Sequence, residues 1–304
     1  MSNLTVSLSP HVRGSDSTRR IMGNVCIALI PALVFAVYWF GFSVLLTVAL
    51  SVVAAVGSEA LMQKLLKKPI TVSDGSAVVT GLLLALTLPA GTPWYVPVLG
   101  SVFAICIAKQ VFGGLGDNFV NPALAGRAFL LASFPVAMTT YPQVADAVSS
   151  ATPLSAEFTG SIGTLQAFIG QIPGSIGEVS KLALLAGAAY LLIKKIIDWR
   201  IPVCYLGTLA VLYAVSGEPV LDSVLLGGTL LAAFFMATDY VTSPVTSWGR
   251  VIYGVGIGVI NFVIRRWGAY PEGVTYAVLL MNVAAPLIER FTRPHKYGEV
   301  KKNA

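Results

Sequence analysis

Charge is scarce in this chain. Of its 304 residues only 11% are Asp, Glu, Lys or Arg, while 56% are hydrophobic; a soluble globular domain carries about 25% charged residues. That deficit excludes an ordinary water-soluble fold, and the stretches between apolar runs leave no room for a separate soluble domain. Cysteine is scarce as well. Cys26, Cys106 and Cys204 stand singly inside apolar segments with no Cys-x-x-Cys pair, which argues against a self-contained iron–sulfur or zinc site. Each reads as a small buried hydrophobe; the alternative is a ligand to a cluster shared with another subunit. His11 and His295 lie in polar tails and suggest no metal site. No cleavable leader is expected, because residues 1–20 are polar, hold Arg13, Arg19 and Arg20, and precede an apolar run too long for a signal-peptide core. The net charge of +6 does not call for nucleic acid, since in membrane proteins Lys and Arg collect in cytoplasmic loops.

What is present is a series of apolar runs. The pattern predicts an all-α polytopic membrane protein with about ten spans: Ile21–Phe40, Phe42–Leu66, Ser76–Leu88, Tyr95–Phe112, Pro122–Phe134, Glu178–Ile197, Pro202–Val215, Leu221–Thr238, Trp248–Ile264 and Glu272–Arg290. Several fall short of the roughly 20 residues that a straight span needs, which is tolerated in broken helices buried within a bundle. With both termini in the cytoplasm, every Lys and Arg except Lys181, Arg265 and Arg266 falls inside, as the positive-inside rule requires. The Arg265–Arg266 pair marks either an error in the ninth span or a contact with a partner subunit. The polar loop 135–177 then lies outside and contains no Lys or Arg. Residues 21–134 and 178–290 run in opposite senses, the pattern of two inverted repeats of about five helices each in a single membrane domain. Gly81-Leu-Leu-Leu-Ala-Leu-Thr and Gly228-Thr-Leu-Leu-Ala-Ala-Phe carry a weak internal similarity.

Within the loop lies Asp146-Ala147-Val148-Ser149-Ser150-Ala151-Thr152-Pro153-Leu154. By residue type this is a small, hydroxyl-rich stretch, and such stretches are ordinary loops. Pro153 biases Thr152 toward an extended backbone, and the small residues before it let a large group approach. Gly113-Gly114-Leu115-Gly116 is not a dinucleotide-binding turn, because it follows an apolar span and not a strand.

The stretch 146–154 resembles the flavinylation motif of the NqrB/RnfD family of membrane subunits in bacterial ion-pumping redox complexes. That motif reads Asp, two variable residues, Ser or Thr, Gly, Ala, Thr, commonly followed by Pro-Leu. Asp146, Ser149, Ala151 and Thr152 match it, whereas Ser150 stands where glycine is usual. Further similarity lies in Ser73–Leu83 with Leu88-Pro89, in Phe112–Asn118 with Asn121-Pro122-Ala123, and in Thr238-Asp239-Tyr240 with Ser243-Pro244, spanning residues 20–294. The first span starts by Ile21, and the short region before it favours the RnfD branch. The resemblance implies FMN joined through its phosphate to Thr152 by a flavin transferase, with Asp146, Ser149, Ser150 and Ala151 around it. It also implies assembly with other Rnf membrane and peripheral subunits in the bacterial inner membrane. There the chain relays electrons in ferredoxin:NAD oxidoreduction coupled to Na⁺ or H⁺ translocation and is not catalytic alone. Riboflavin is raised as a second flavin, for which no residue marks a site.

Carboxylates in or near spans are costly and are functional candidates. Asp74, Asp117 and Asp239 are candidates for a cation path or a second flavin, with helix capping or solvation as the alternative, and Asp74 is well placed to cap the third span. Asp222 reads as a cap, and Glu59 as the partner of Lys64 in an interface ion pair. A secondary transporter or channel without a redox cofactor would share the inverted repeats, short spans and buried carboxylates but has no need of the 146–152 motif. A structural membrane anchor would tolerate loss of Thr152 without redox consequence.

Overall fold

The structure, a computed structural model, describes residues 17–142, 149–150, 168, 174–268 and 273–294. Among the described residues, four helices are long and apolar enough to cross a membrane: α1 (Thr18–Phe40), α2 (Ser43–Leu65), α11 (Ser247–Trp267) and α12 (Val274–Thr292). At 1.5 Å per residue each covers roughly the 30 Å of a hydrocarbon core. The others are shorter: α3 (Ser76–Leu86), α4 (Tyr95–Ile105), α5 (Pro122–Ser133), α6 (Pro135–Thr139), α7 (Lys181–Ile193), α8 (Arg200–Val215), α9 (Val220–Leu225) and α10 (Thr229–Leu231). Helices α4 and α10 each run on into a π-helical turn, at Cys106–Gln110 and Ala232–Met236.

The chain is thus an all-helical polytopic membrane protein, as the sequence predicts, with three corrections. The span expected over Leu221–Thr238 is two helices, α9 and α10, parted at Gly227, whose φ is +69°. The polar loop begins with a short helix, α6, started by Pro135 at its first position. The ninth span runs on to Trp267, so Arg265 and Arg266 form its last turn.

Helix contacts are made through small residues, which let backbones approach where lipid supplies no hydrophobic drive. A methyl group on Gly81 of α3 would lie 2.8 Å from Val52 Cα of α2, and one on Gly126 of α5 would lie 2.8 Å from the Gly100 carbonyl of α4. Gly254 of α11 packs in the same way on Ile201 of α8, and Gly187 of α7 on the Ala28 carbonyl of α1. Ser51 Oγ donates to the Gly81 carbonyl at 2.7 Å and lies 2.8 Å from Ser101 Oγ, tying α2, α3 and α4 together. Gly81→Ala is expected to cost about 1–3 kcal/mol by overpacking a backbone that cannot give way, read as a lower thermal unfolding midpoint in detergent.

One end of the bundle is basic, holding Lys64, Lys67, Lys68, Lys194, Lys195, Arg200 and Arg250. Helices α2 and α7 close there with the same hydrogen-bond pattern. Lys67 N–H donates to the Lys64 carbonyl and Lys68 N–H to Gln63; Lys195 N–H donates to Leu192 and Ile196 N–H to Leu191. This is the Schellman closure, whose left-handed position normally takes glycine, yet Lys67 (φ 52°) and Lys195 (φ 55°) occupy it. At the opposite end α8 closes identically with Gly217 (φ 72°).

Candidate functional site

The motif-bearing loop leaves α6 and re-enters the bundle before α7. Ser149–Ser150 pairs antiparallel with Tyr141–Pro142, Tyr141 opposite Ser150 and Pro142 opposite Ser149. At the other edge Ser175 bridges Pro89, and Ile176 N–H donates to the Leu88 carbonyl at 2.9 Å, so the loop is stitched to the end of α3. Asp146, Ala151 and Thr152 lie outside the described residues.

A polar network occupies the basic end. The Lys109 ammonium, in the π turn after α4, sits 2.7 Å from Glu59 Oε1 of α2, with the two side chains 2% and 1% exposed. It also donates to Ser76 Oγ at 2.6 Å, and Ser76 in turn donates to Asp74 Oδ1 from its hydroxyl at 2.6 Å and from its backbone N–H at 2.7 Å. Gln110 Nε2 reaches Glu59 Oε1 at 2.8 Å, and Gln63 exchanges hydrogen bonds with Thr71. Glu59 therefore pairs with Lys109 and not with Lys64, which is exposed. The reason is geometric: residues five apart on a helix point to different faces. Asp74 accepts from the first N–H of α3, a capping contact, and Asp74→Ala is expected to cost about 1 kcal/mol, measured as a shift in the unfolding midpoint.

The remaining acidic candidates separate. Asp117 is exposed and packs its carboxylate on Gly113. It closes the turn in which Gly113, Gly114 and Gly116 take φ of 137°, 113° and 103°, conformations that a side chain would strain. Asp239 follows the second π turn and accepts from Thr242 Oγ1 at 3.1 Å. For Asp222, in the first turn of α9, the side chain is outside the description.

Asp239 and Lys109 line one cavity, together with Ser76, Asn118 and Asn121, and with apolar walls that include Val79 and Phe234. The first turns of α3 and α5 both open on it, and helix N-termini carry partial positive charge. Lys109 is paired with Glu59 and the Asp239 carboxylate lies in the same wall, so the chamber offers both donors and acceptors to a polar group. π turns are frequent at functional sites, and the two among the described residues contribute to the wall through Lys109 and Phe234.

Sequence reasoning gave three buried residues here no structural role. Lys109 was visible as a lone cation inside a predicted span, and an intramembrane ionisable group is a functional candidate in itself. Asn121 caps α5, accepting from Ala123 and Leu124 N–H at 3.0 and 3.3 Å. Its amide donates to the Met236 carbonyl at 3.2 Å, and its backbone N–H to Asn282 Oδ1 of α12 at 3.1 Å. Asn282 also reaches the Tyr253 hydroxyl at 2.6 Å and the Thr242 carbonyl at 3.2 Å, so the pair joins four elements. The Asn-Pro pair at 121–122 was the only sequence signal for this joint.

At the opposite end the cations are engaged with the protein itself. Arg265 donates to the Ser223 and Leu226 carbonyls and to Thr229 Oγ1 at 2.7, 3.0 and 2.7 Å, bridging the break between α9 and α10. Arg266 pairs with Glu218. Buried Lys181 donates to the Glu178 carbonyl, and buried Arg127, which the charge count sets among the inside residues, donates to the Thr87 carbonyl just past the end of α3 and so lies toward this end. The two arginines that broke the charge bias thus hold the end of α11 against α8–α10.

Fold and site together define a polytopic membrane protein in which broken helices enclose a polar chamber at one end and a long loop is anchored at the other. Residues 5–298 match the profile of the NQR2, RnfD, RnfE family, and the chain belongs to that family. It is 55% identical over 312 residues to the D subunit of the Na(+)-translocating ferredoxin:NAD(+) oxidoreductase complex of Acetobacterium woodii, covering 99% of this chain and 98% of that one. Identity is 45% over 318 residues to the D subunit of the proton-translocating ferredoxin:NAD(+) oxidoreductase complex of Clostridium ljungdahlii, covering 97% and 96%. It is 40% over 328 residues to the D subunit of the ion-translocating oxidoreductase complex of Stutzerimonas stutzeri, covering 93% of each.

Proposed function

We propose that this chain is the RnfD membrane component of an Rnf-type complex, relaying electrons between ferredoxin and NAD while the complex moves Na⁺ or H⁺. The observation that carries this reading is the end-to-end match to subunits so named, with 99% and 98% of the two chains aligned for the first of them. The chain is not catalytic alone and works with the other Rnf membrane and peripheral subunits. A transporter or channel without a cofactor would also use broken helices and a buried ion pair, but it leaves the 146–152 stretch without a purpose.

The proposed cofactor is FMN, esterified through its phosphate to Thr152 by a flavin transferase. The described part of the motif suits such a group: Ser149 and Ser150 are small and held in extended pairing against Tyr141–Pro142. When bound, a flavin exchanges electrons singly or in pairs. The chain's own task is to hold it, with Asp146, Ser149, Ser150 and Ala151 flanking the ester. Lys181, Arg265 and Arg266 are engaged in capping and pairing, so the phosphate is left to loop N–H groups, which can form an anion-binding nest, or to a partner subunit. For a second flavin, riboflavin, the reading offers the chamber between Lys109 and Asp239, whose lining mixes apolar and polar side chains.

The orientation that accompanies this reading puts the chain in the bacterial inner membrane with both termini and the basic end in the cytoplasm, and loop 135–177 outside. The concentration of Lys and Arg at one end supports it. The two-repeat reading is supported by packing: α2 lies on α3 and α4, and α4 on α5, in the first half; α8 lies on α11, and α11 on α12, in the second; α1 meets α7 and α5 meets α12 across the halves. The experiment is to express the chain with a flavin transferase, denature it, and record in-gel flavin fluorescence and intact mass. A fluorescent band heavier by FMN less one water is expected; a dark band of unmodified mass overturns the cofactor assignment.

A further inference from the structure

We propose that the cavity between Tyr95, at the start of α4, and Phe134, at the end of α5, docks the isoalloxazine ring of a flavin carried on Thr152. The inference rests on the flavin reading above and adds the place where the ring sits. The cavity holds about 550 Å³, and small-molecule sites run from about 300 to 1,000 Å³. Val136 of α6 and Thr140, just after it, belong to the same wall. The Tyr95 and Phe134 rings stand 5.8 Å apart with their planes at 63°, the edge-to-face arrangement that aromatic side chains favour. Trp94 beside them is 68% exposed, as befits an aromatic residue at a membrane–water interface. Tyr95 and Phe134 instead face a concavity, which an interfacial belt does not require. A flat fused ring gains there by burying its faces against aromatic and apolar side chains.

The strand pairing explains why a ring on this loop reaches this cavity. Tyr141 lies opposite Ser150 and Pro142 opposite Ser149, in antiparallel sense. A step from Ser149 to Ser150 therefore runs back along the other strand from Pro142 to Tyr141, toward Thr140 in the cavity wall. Paired Cα atoms lie about 4.5–5.5 Å apart and consecutive ones about 3.8 Å, so Ser150 is within about 10 Å of Thr140. Thr152 follows Ser150 by two residues, at most about 7 Å of chain, and the ribityl arm of the flavin extends that reach. A short tether also holds the ring near the cavity at roughly millimolar effective concentration, so a modest aromatic contact is enough to dock it.

The test uses the full chain, labelled by a co-expressed flavin transferase and purified in detergent, with emission of the oxidised flavin titrated with iodide before and after denaturation. A docked ring is shielded, so the native parent should be quenched less steeply than the same chain denatured. Tyr95→Leu and Phe134→Leu should each raise the undocked, iodide-accessible fraction by about twofold to tenfold, the worth of one aromatic partner, with the labelled mass otherwise unchanged. Val136→Asp, at a wall residue that is 77% exposed, should lower the midpoint potential of the flavin, because a carboxylate beside the ring opposes added electrons. Val215→Asp, at the last residue of α8 and 82% exposed, should not. This second pair decides the matter if the aromatic variants do not fold. Equal quenching of native and denatured parent overturns the dock, as do leucine variants quenched like the parent. So does a potential that Val136→Asp leaves unmoved or that Val215→Asp moves as far. A dark denatured band overturns the flavin itself and takes the dock with it, whereas any of the other failures in a fluorescent chain overturns the dock alone.

Discussion

A Thr152→Ala chain made alongside a flavin transferase will run as a dark band on a denaturing gel, where the parent chain fluoresces. The effect is all-or-none, because a phosphoester needs the threonine oxygen and alanine has none. Nearby hydroxyls at Ser149, Ser150 and Thr159 make the experiment sharp: if one of them accepts the flavin, the variant stays fluorescent and its mass is unchanged apart from the substitution. That result removes Thr152 from its proposed role while leaving the chain a flavoprotein. Ser150 stands where the family motif has glycine, so Ser150→Gly should label at least as completely as the parent. A loss of label there would mean that the serine hydroxyl, and not merely small size, serves the modification.

The second large effect is expected at Lys109. Lys109→Met removes the cation and leaves the Glu59 carboxylate buried with only amide donors, Gln110 Nε2 at 2.8 Å and Gln63 Nε2 at 3.5 Å. Breaking a buried pair from one side costs about 3–5 kcal/mol, because the remaining charge is uncompensated, whereas replacing both partners is often close to neutral. Lys109→Met should therefore unfold far more readily than the parent in detergent, and Glu59→Gln with Lys109→Met should recover more than half of the loss. Equal stability of the parent and the single variant would show that Glu59 carries no charge to compensate. Because Lys109 also holds Ser76 Oγ, and through it Asp74, the single variant should loosen the first turn of α3 as well, seen as faster hydrogen exchange over residues 74–80.

Much of this architecture could be read from the sequence. The long spans carry an unbroken apolar signal, and their ends agree with the structure to within a few residues: Ile21–Phe40 against Thr18–Phe40, Trp248–Ile264 against Ser247–Trp267. Hydropathy failed where backbone conformation decides. Nothing apolar distinguishes Leu225–Thr229 from the residues around it, yet Gly227 in a left-handed conformation parts α9 from α10. Long-range partners failed for a related reason. Glu59 was matched to the cation nearest in sequence, Lys64, while its partner comes from 50 residues further along the chain, carried there by the packing of α2 on α4. Arg265 and Arg266 looked anomalous because a charge count registers position and not engagement. Their carbonyl and carboxylate partners belong to α8–α10, which only the fold brings near. The capping role of Asp74, by contrast, was legible, because it depends on residues two apart.

The lysine-terminated closures of α2 and α7 set the waterline of the molecule. Glycine at Lys67 or Lys195 would relieve a left-handed backbone that costs a side-chain-bearing residue roughly 1–2 kcal/mol, as Gly217 does for α8 at the far end. The strained choice puts a lysine at the residue where each helix stops, its ammonium carried on a flexible stem just past the last turn. A helix closed by glycine can slide a little along the membrane normal before anything polar objects. One closed by lysine can sink only as far as the side-chain stem lets the ammonium snorkel back to water, so depth in the bilayer is limited at these two positions and does not depend on the length of the apolar run alone.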